Sequence, residues 1–340
     1  MSVPLMLAPM AELSHRALRE LIESFKPRGE ISGGAAELSG ADEYFTEMIS
    51  AGALFGGGPF EAWYMDNGPC PEKLVYQLVG GDEGQLCRAA SLLDKKECRG
   101  IDINMGCSAP AITRTGAGVR WMADKDKAAA LIRRLRPQTG RRLSVKLRIG
   151  MDDNFEYLVS FCRGLEEEGV ELITLHPRTA KEKFRRRARW DYVSALRKEL
   201  RIPVAGNGDI DSAGEILRRS GECDAVMVGR LAVRCPWIFA EAKMAPLGPK
   251  VGAIFEGTAS ESPISKGALL EDTGLHFIQL LSQYQPPEFH VSRAKRFFYY
   301  FCDNLKWGNH VKNLINRETG LLGIERVWRE YFKETSPAQL

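Results

Sequence analysis

Between residues 101 and 122 the chain reads IDINMGCSAPAITRTGAGVRWM, and two of its side chains, the carboxamide Asn104 and the thiol Cys107, stand where reactive groups are usually found. A short β-branched run ending in Met105-Gly106-Cys107 predicts a buried strand, with polar groups just past its C-terminal end. That end is where α/β proteins expose their chemistry. A second set lies further on. Val204-Ala205-Gly206-Asn207-Gly208-Asp209 and Ala225-Val226-Met227-Val228-Gly229-Arg230 are two strand patterns, each ending in glycine and a charged residue. Glycine-exposed backbone N–H groups beside a helix start bind phosphate, and an arginine adds a bidentate partner. Lys146 is a cation inside the otherwise apolar Ser144–Arg148 run, which is costly unless it is paired or points into a site. With Gln77 as an amide donor, these residues have the make-up of a flavin site, where a cation steadies the reduced ring.

The elements that must position them recur in a rhythm. Strand-like segments at 4–8, 33–38, 74–79, 100–104, 143–149, 172–176, 202–207 and 225–228 are followed by helical patterns. Those fall at 14–25, with Ser14 as cap, and at 43–49, 85–93, 125–135, 155–168, 192–198, 213–219 and 236–242. Eight such units in roughly 240 residues predict a (β/α)₈ TIM barrel, its strands continuous apolar runs because helices cover the outside. Pro9, Met10, Gln77, Asn104, Lys146, Arg148, His176, Arg178, Asn207, Gly229 and Arg230 all fall at strand C-termini, which converge on one mouth. Residues 1–244 form this expected catalytic domain. A Pro-, Gly- and Ser-rich linker spans 245–265, and an all-helical domain follows over 266–340.

Bulk properties set limits. The 340 residues carry a net charge of +3, 44% hydrophobic and 27% charged residues, ordinary for a globular enzyme, so any polyanion site must come from local clustering. No apolar run nears the ~20 residues that span a bilayer, and the N-terminus lacks the basic region of a signal peptide. Eight scattered cysteines without a CxxC pair predict reduced thiols and no metal site. The expectation is a cytoplasmic, metal-free monomer without membrane attachment.

The order and spacing of Leu7-Ala8-Pro9-Met10-Ala11, Thr46-Glu47-Met48-Ile49, Gln77-Leu78, Asn104-Met105-Gly106-Cys107, Lys146-Leu147-Arg148, His176-Pro177-Arg178-Thr179, Gly206-Asn207-Gly208-Asp209 and Gly229-Arg230 resemble the tRNA-dihydrouridine synthase family along nearly the whole chain. The resemblance implies an FMN-dependent enzyme with NADPH as reductant, reducing the C5=C6 bond of a uridine in tRNA. Carried over, Pro9, Met10 and Ala11 line the flavin, with Gln77 and Lys146 on its ring and His176 beside it. Asn207, Gly208, Asp209, Gly229 and Arg230 hold its phosphate end. Asn104 and Arg178 orient the uracil, reduced FMN gives hydride to C6, and Cys107 gives a proton to C5. An unperturbed thiol, with a pKa of ~8.5, holds that proton at neutral pH. Ser108 stands where the family usually has Pro, and Arg120 and Trp121 where small or apolar residues are usual.

A flipped uridine brings its phosphates with it. The run Lys181, Lys183, Arg185, Arg186, Arg187 and Arg189 puts six cations and one acid directly after the strand that carries His176 and Arg178, which suits tRNA binding. In the helical region Arg293, Lys295, Arg296, Lys306 and Lys312 form a second candidate strip. Two other functions fit parts of the pattern. One is a small-molecule FMN oxidoreductase of the dihydroorotate or dihydropyrimidine dehydrogenase type. The other is a non-catalytic tRNA-binding protein.

Overall fold

The computed structural model describes residues 3–27, 38–245, 255–256 and 265–334. They form two compact units: residues 1–10 with 42–229, and residues 11–41 with 230–340. The first helix, α1 (Arg16–Glu23), therefore groups with the second unit, as do the residues from Arg230 to Met244. Most of the expected linker, and all but Leu38 of the strand expected at 33–38, lie outside the described residues.

In the first unit eight parallel strands close on themselves. They are β1 (Leu5–Leu7), β2 (Glu43–Phe45), β3 (Leu74–Val79), β4 (Gly100–Met105), β5 (Arg142–Gly150), β6 (Leu172–Thr179), β7 (Val204–Asn207) and β8 (Ala225–Val228). Each pairs with the next, and β8 returns to β1, the closure of a (β/α)₈ barrel. The segment 43–49, read as helical from its apolar spacing, is instead the strand β2, followed by the short pairing Ile49–Ser50 on β3. Tertiary burial decides this. Tyr44 and Phe45 are buried, and the Glu43 carboxylate accepts hydrogen bonds from Arg99 (2.8 Å) and Arg142 (2.7 Å) across the barrel foot.

Helices α2 (Glu83–Asp94), α3 (Lys125–Leu135), α4 (Phe155–Glu167), α5 (Trp190–Glu199) and α6 (Ala213–Arg219) belong to the same unit. Asp82, Asp124, Asn154 and Ser212 cap four of them through side-chain oxygens. Side chains alternate along β4 and β5. Ile101, Ile103, Leu143, Val145 and Leu147 take one face, and Asp102, Asn104, Ser144, Lys146 and Arg148 the other. The strands are thus not continuous apolar runs here. The second face is the barrel lumen, for Met6, Phe45, Val75, Leu172, Ala205 and Met227, from six strands, meet in one apolar cluster there. In register, Gln77, Asp102 and Ser144 form one level of the lumen, and Asn104, Lys146 and Thr174 the next toward the mouth. Polarity rises toward the strand C-termini.

The second unit is helical apart from a short antiparallel pairing of Lys26–Pro27 with Phe255–Glu256: its helices are α1, α7 (Arg230–Arg234), α8 (Ile238–Met244), α9 (Lys266–Tyr284), α10 (Pro287–Phe301), α11 (Gly308–Arg317) and α12 (Leu321–Glu334). His15, not Ser14, occupies the capping position of α1, and it caps nothing with its side chain. Phe277 stacks on Phe297 (3.7 Å between centroids), and Phe298, Phe301 and Trp328 complete an aromatic core. Gly274 makes room for it. A Cβ there would come within 2.4 Å of the Trp328 indole, whose Nε1–H donates to the Glu271 carbonyl.

Candidate active site

The Cys107 loop starts from Asn104. Its Oδ1 accepts the backbone N–H of Gly106 (3.2 Å) and of Cys107 (2.9 Å), pinning the turn at the strand end. Its Nδ2 donates to Gln77 Oε1 (2.9 Å), and Gln77 Nε2 donates in turn to Asp102 Oδ2 (2.7 Å). Ser144 Oγ–H donates to the other oxygen of Asp102 (2.6 Å). Asp102 is wholly buried, and burial pushes its carboxyl up to about 6 against the pull of Ser144, Gln77 and Lys146. Beyond Cys107, Val119 N–H donates to the Cys107 carbonyl (2.9 Å). The left-handed Gly118 (φ 63°) allows this approach, since a Cβ would stand 2.3 Å from that oxygen. Trp121 is buried, and its Nε1–H donates to the Gly80 carbonyl at the end of β3 (2.8 Å), whereas Arg120 is exposed. The thiol itself is half-buried.

Lys146 sits beside Asn104 in register and makes no hydrogen bond or ion pair with the described residues. Desolvation, then the charge of Arg148, pulls its ammonium down to about 8, while Asp102 and Cys107 oppose the shift. Arg148 is buried and spans two loops. Its Nε–H donates to the Gly106 carbonyl (3.1 Å), and Nη1 to the carbonyls of Thr179 (3.3 Å) and Lys183 (3.1 Å).

On β6 and β7 the structure gathers three predicted site residues into one ionic cluster. Arg178 Nη2 donates to both oxygens of Asp209 (2.7 and 2.6 Å), and its Nη1 donates to His176 Nε2 (2.8 Å). A guanidinium has only donors, so His176 Nε2 is an acceptor and the neutral ring carries its proton on Nδ1. The Nε–H of Arg178 donates to the Arg186 carbonyl (2.5 Å), so all three guanidinium nitrogens are engaged. Asp209 takes a left-handed backbone (φ 54°), and Gly208 (φ 118°) lies under the His176 ring, where a Cβ would come within 2.9 Å.

The lumen end of β8 is open by contrast. Among the described residues, a Cβ on Gly229 would find only Ala8 Cβ and Met10 Sδ within 4 Å, both at 3.6 Å. Asn207 is buried with Nδ2 on the Met227 carbonyl (2.8 Å), and Pro9 is half-buried beside Met10. Ala11 and Arg230 belong to the second unit. Among the described residues no cluster of His, Cys, Asp or Glu could hold a metal ion.

The cations after β6 divide. Lys181 pairs with Asp152 (2.6 Å), and Arg189 with Glu182 (2.5 Å) and Asp153 (3.3 Å). Arg189 holds the Glu182 carboxyl down to about 2. Arg186 lies 3.9 Å from Glu182, while Lys183, Arg185 and Arg187 are exposed without an ion pair among the described residues. The helical strip divides too. Arg293 is buried, Lys295 Nζ donates to the Asn316 carbonyl (2.9 Å), Arg296 approaches Glu12 (3.8 Å), and Lys312 is paired with Asp303.

A parallel barrel with an acid–amide–thiol series and a guanidinium–carboxylate cluster at its C-terminal mouth is the framework of a barrel enzyme. The particular family follows from comparison with known proteins. Residues 6–255 match the family described as dihydrouridine synthase (Dus), and the chain belongs to that family. It is 34% identical over 247 residues to a probable tRNA-dihydrouridine synthase of Aquifex aeolicus, covering 70% of this chain and 72% of that one. It is 28% identical over 329 residues to tRNA-dihydrouridine synthase B of Xanthomonas axonopodis pv. citri, covering 96% of this chain and 92% of that one. No helix among the described residues is long and apolar enough to cross a membrane.

Sequence reasoning passed over Asp102 and Ser144 and gave Arg148 no task. The signal was present in the strict alternation of IDIN and SVKLR, which puts these residues on one face of adjacent strands.

Proposed function

We propose that this protein is a cytoplasmic, monomeric tRNA-dihydrouridine synthase that reduces the C5=C6 bond of a uridine with FMN and NADPH. The observation that carries the reading is Lys146. It is a cation in the lumen without a hydrogen bond or ion pair among the described residues, beside the residue that holds the Cys107 turn. A half-buried ammonium with no carboxylate partner is costly where desolvation already lowers its pKa, which favours an anionic ligand beside it. The chain's residues fit a flavin mononucleotide. Gly229 leaves room for a phosphate at the end of β8, with Pro9, Met10 and Asn207 nearby, while Gly208 sits close under His176 at the end of β7. Gln77 and His176 border the same lumen.

When bound, the flavin reduced by NADPH supplies the hydride for C6. Cys107 then delivers the proton to C5, and its turn is fixed by Asn104, so the donor atom is placed before the substrate arrives. Asn104 keeps a second amide hydrogen for a uracil carbonyl. Arg178 acts by holding His176 and Asp209 in place, and its engaged guanidinium turns to the uracil only by sharing those bonds. Lys183, Arg185 and Arg187, with Lys181, Arg186 and Arg189, border the mouth and suit phosphate contacts of tRNA. The helical unit, residues 266–340 above all, adds further tRNA contacts.

The test is spectroscopic. Purified protein is expected to show a flavin spectrum that NADPH bleaches and that tRNA lacking dihydrouridine restores faster than buffer does. A flavin indifferent to tRNA moves the reading to a small-molecule reductase. A colourless protein that added FMN cannot reconstitute removes the flavin site.

A further inference from the structure

The Ser144–Asp102–Gln77–Asn104 series has a direction. A carboxamide presents an acceptor at one end and a donor at the other, and the two ends are nearly the same shape. Only its partners decide which way it faces. At the deep end of the series stands Asp102, whose carboxylate oxygen accepts from Gln77 Nε2. Gln77 must then turn its oxygen to Asn104, which must turn its NH₂ back toward Gln77. That leaves Asn104 Oδ1 for the N–H groups of Gly106 and Cys107. Reversing Asn104 would set its NH₂ against the N–H groups of Gly106 and Cys107, leaving both without their acceptor, and reversing Gln77 would set its oxygen against Asp102 and its NH₂ against that of Asn104. Asp102 is wholly buried, one level of the lumen below Asn104, and its hydrogen bonds among the described residues go to Gln77 and Ser144, not to Cys107 or its loop.

We propose that Asp102 is a positioning residue whose carboxylate fixes the orientation of Gln77 and Asn104 and so seats Cys107. Ser144 completes the arrangement by holding the carboxylate's other oxygen. The series is an acceptor source at the centre of the barrel, read out as an ordered turn at its rim. It also fixes what Asn104 offers the lumen. With Oδ1 occupied by the loop, the amide presents N–H, which suits a carbonyl oxygen and opposes an amino group. This last consequence rests on the functional reading above, whereas the seating of Cys107 does not.

The experiment measures how fast iodoacetamide alkylates Cys107, resolved from the other thiols by peptide mass spectrometry, in the full-length protein without tRNA or NADPH. The amide introduced by Asp102→Asn can face either way, so the orientation of Gln77 and Asn104 is no longer dictated and the turn loosens. An alkylation of Cys107 about five- to tenfold faster is expected, the size of one lost hydrogen bond. The decisive variant is Gln77→Glu combined with Asp102→Asn. The carboxylate introduced at position 77 then accepts both from the new amide at position 102 and from Asn104. The direction at Asn104 is restored, and alkylation returns toward the wild-type rate. A merely structural role for Asp102 predicts that moving the charge to position 77 leaves the double variant at least as reactive as Asp102→Asn. Wild-type reactivity in Asp102→Asn, or no recovery in the double variant, overturns the proposal. If Asp102→Asn does not fold, the double variant decides alone: wild-type reactivity supports the proposal, and fast alkylation or failure to fold overturns it. Because the readout needs no flavin turnover, its failure is distinct from failure of the proposed reaction.

Discussion

The turn after β4 and the loop after β6 rise from the same barrel mouth, one strand apart, yet opposite chemistries hold them. Around Cys107 the ties are neutral amides aligned by one buried carboxylate, and the strands supply every side chain of the series. After β6 the tie is a buried guanidinium, three percent exposed, that grips a carboxylate from the next loop together with an imidazole. Arg148 joins the two, donating to Gly106 on one side and to Thr179 and Lys183 on the other. The difference is instructive. Amide bonds carry direction with little field, so they can place a proton donor without ionising it. An ion pair carries a field and a strong anchor but tolerates no loss of either partner. Each side therefore breaks in its own way.

The largest effect should come from the thiol. Cys107→Ala removes the proposed proton donor and leaves every side-chain tie of the turn in place, since Asn104 binds the backbone N–H groups. Turnover should fall ~10²–10⁴-fold, the usual worth of a general acid, while flavin content is retained. Single-turnover reoxidation of the reduced protein by tRNA measures this, and an unchanged rate would remove Cys107 from the chemistry.

The ionic side should break in stability. Asp209→Asn keeps the left-handed backbone at little cost, because Asn tolerates that conformation, so the loss reports the charge. It strands a buried arginine, and discounting for the one-third exposure of Asp209, unfolding should become easier by ~2–3 kcal/mol. Urea denaturation checks this. A change below ~0.5 kcal/mol would show that the cluster is no anchor.

The pH response should separate the two sides further. The Asp102 carboxyl titrates near 6 when folded and near 3.8 when unfolded. Between those values the folded chain holds more protons, so its stability falls as pH rises through that window, by ~1–3 kcal/mol. Asp102→Asn should lack this slope, and Asp209→Asn should keep it. Lys146 acts in the other direction at higher pH. Its folded ammonium loses its proton near 8 and its unfolded one near 10.5, so stability recovers as pH rises between them. Denaturation midpoints measured from pH 4 to 10 test both signs.

Much of this was legible in the chain. The glycine-ended strands and the thiol after Asn104 follow from local pattern alone, because each sits at a strand end that period and composition define, and the lone lysine in the middle of β5 stands out by its charge in an apolar run. What could not be read was partnership. Asp102 looks like one polar residue in an apolar run until β3 and β5 bring Gln77 and Ser144 to its level. Arg178, His176 and Asp209 carried separate expected roles, yet the register of β6 and the left-handed turn after β7 merge them. The helical misreading of 43–49 has the same origin, since its burial is supplied by residues 56 and 99 positions away along the chain.

The basic loop offers the finest comparison, because it contains both kinds of cation. Arg189 is locked to Glu182 and Asp153, whereas Arg185 and Arg187 are exposed and without an ion pair among the described residues. Paired cations have already spent their charge on the loop, while unpaired ones are available to phosphate. Replacing Arg185 and Arg187 together by Ala should leave stability within ~0.5 kcal/mol, as for other exposed positions. It should lower the salt dependence of tRNA binding, with the slope of log K against log[salt] falling by between about one and two. Arg189→Ala should do the reverse, loosening the loop through the loss of the Glu182 clasp with a smaller change in slope. Binding isotherms at several salt concentrations decide between them. Equal slopes for the double variant and the wild type would show that phosphate is met elsewhere, and that the charge after β6 serves the loop alone.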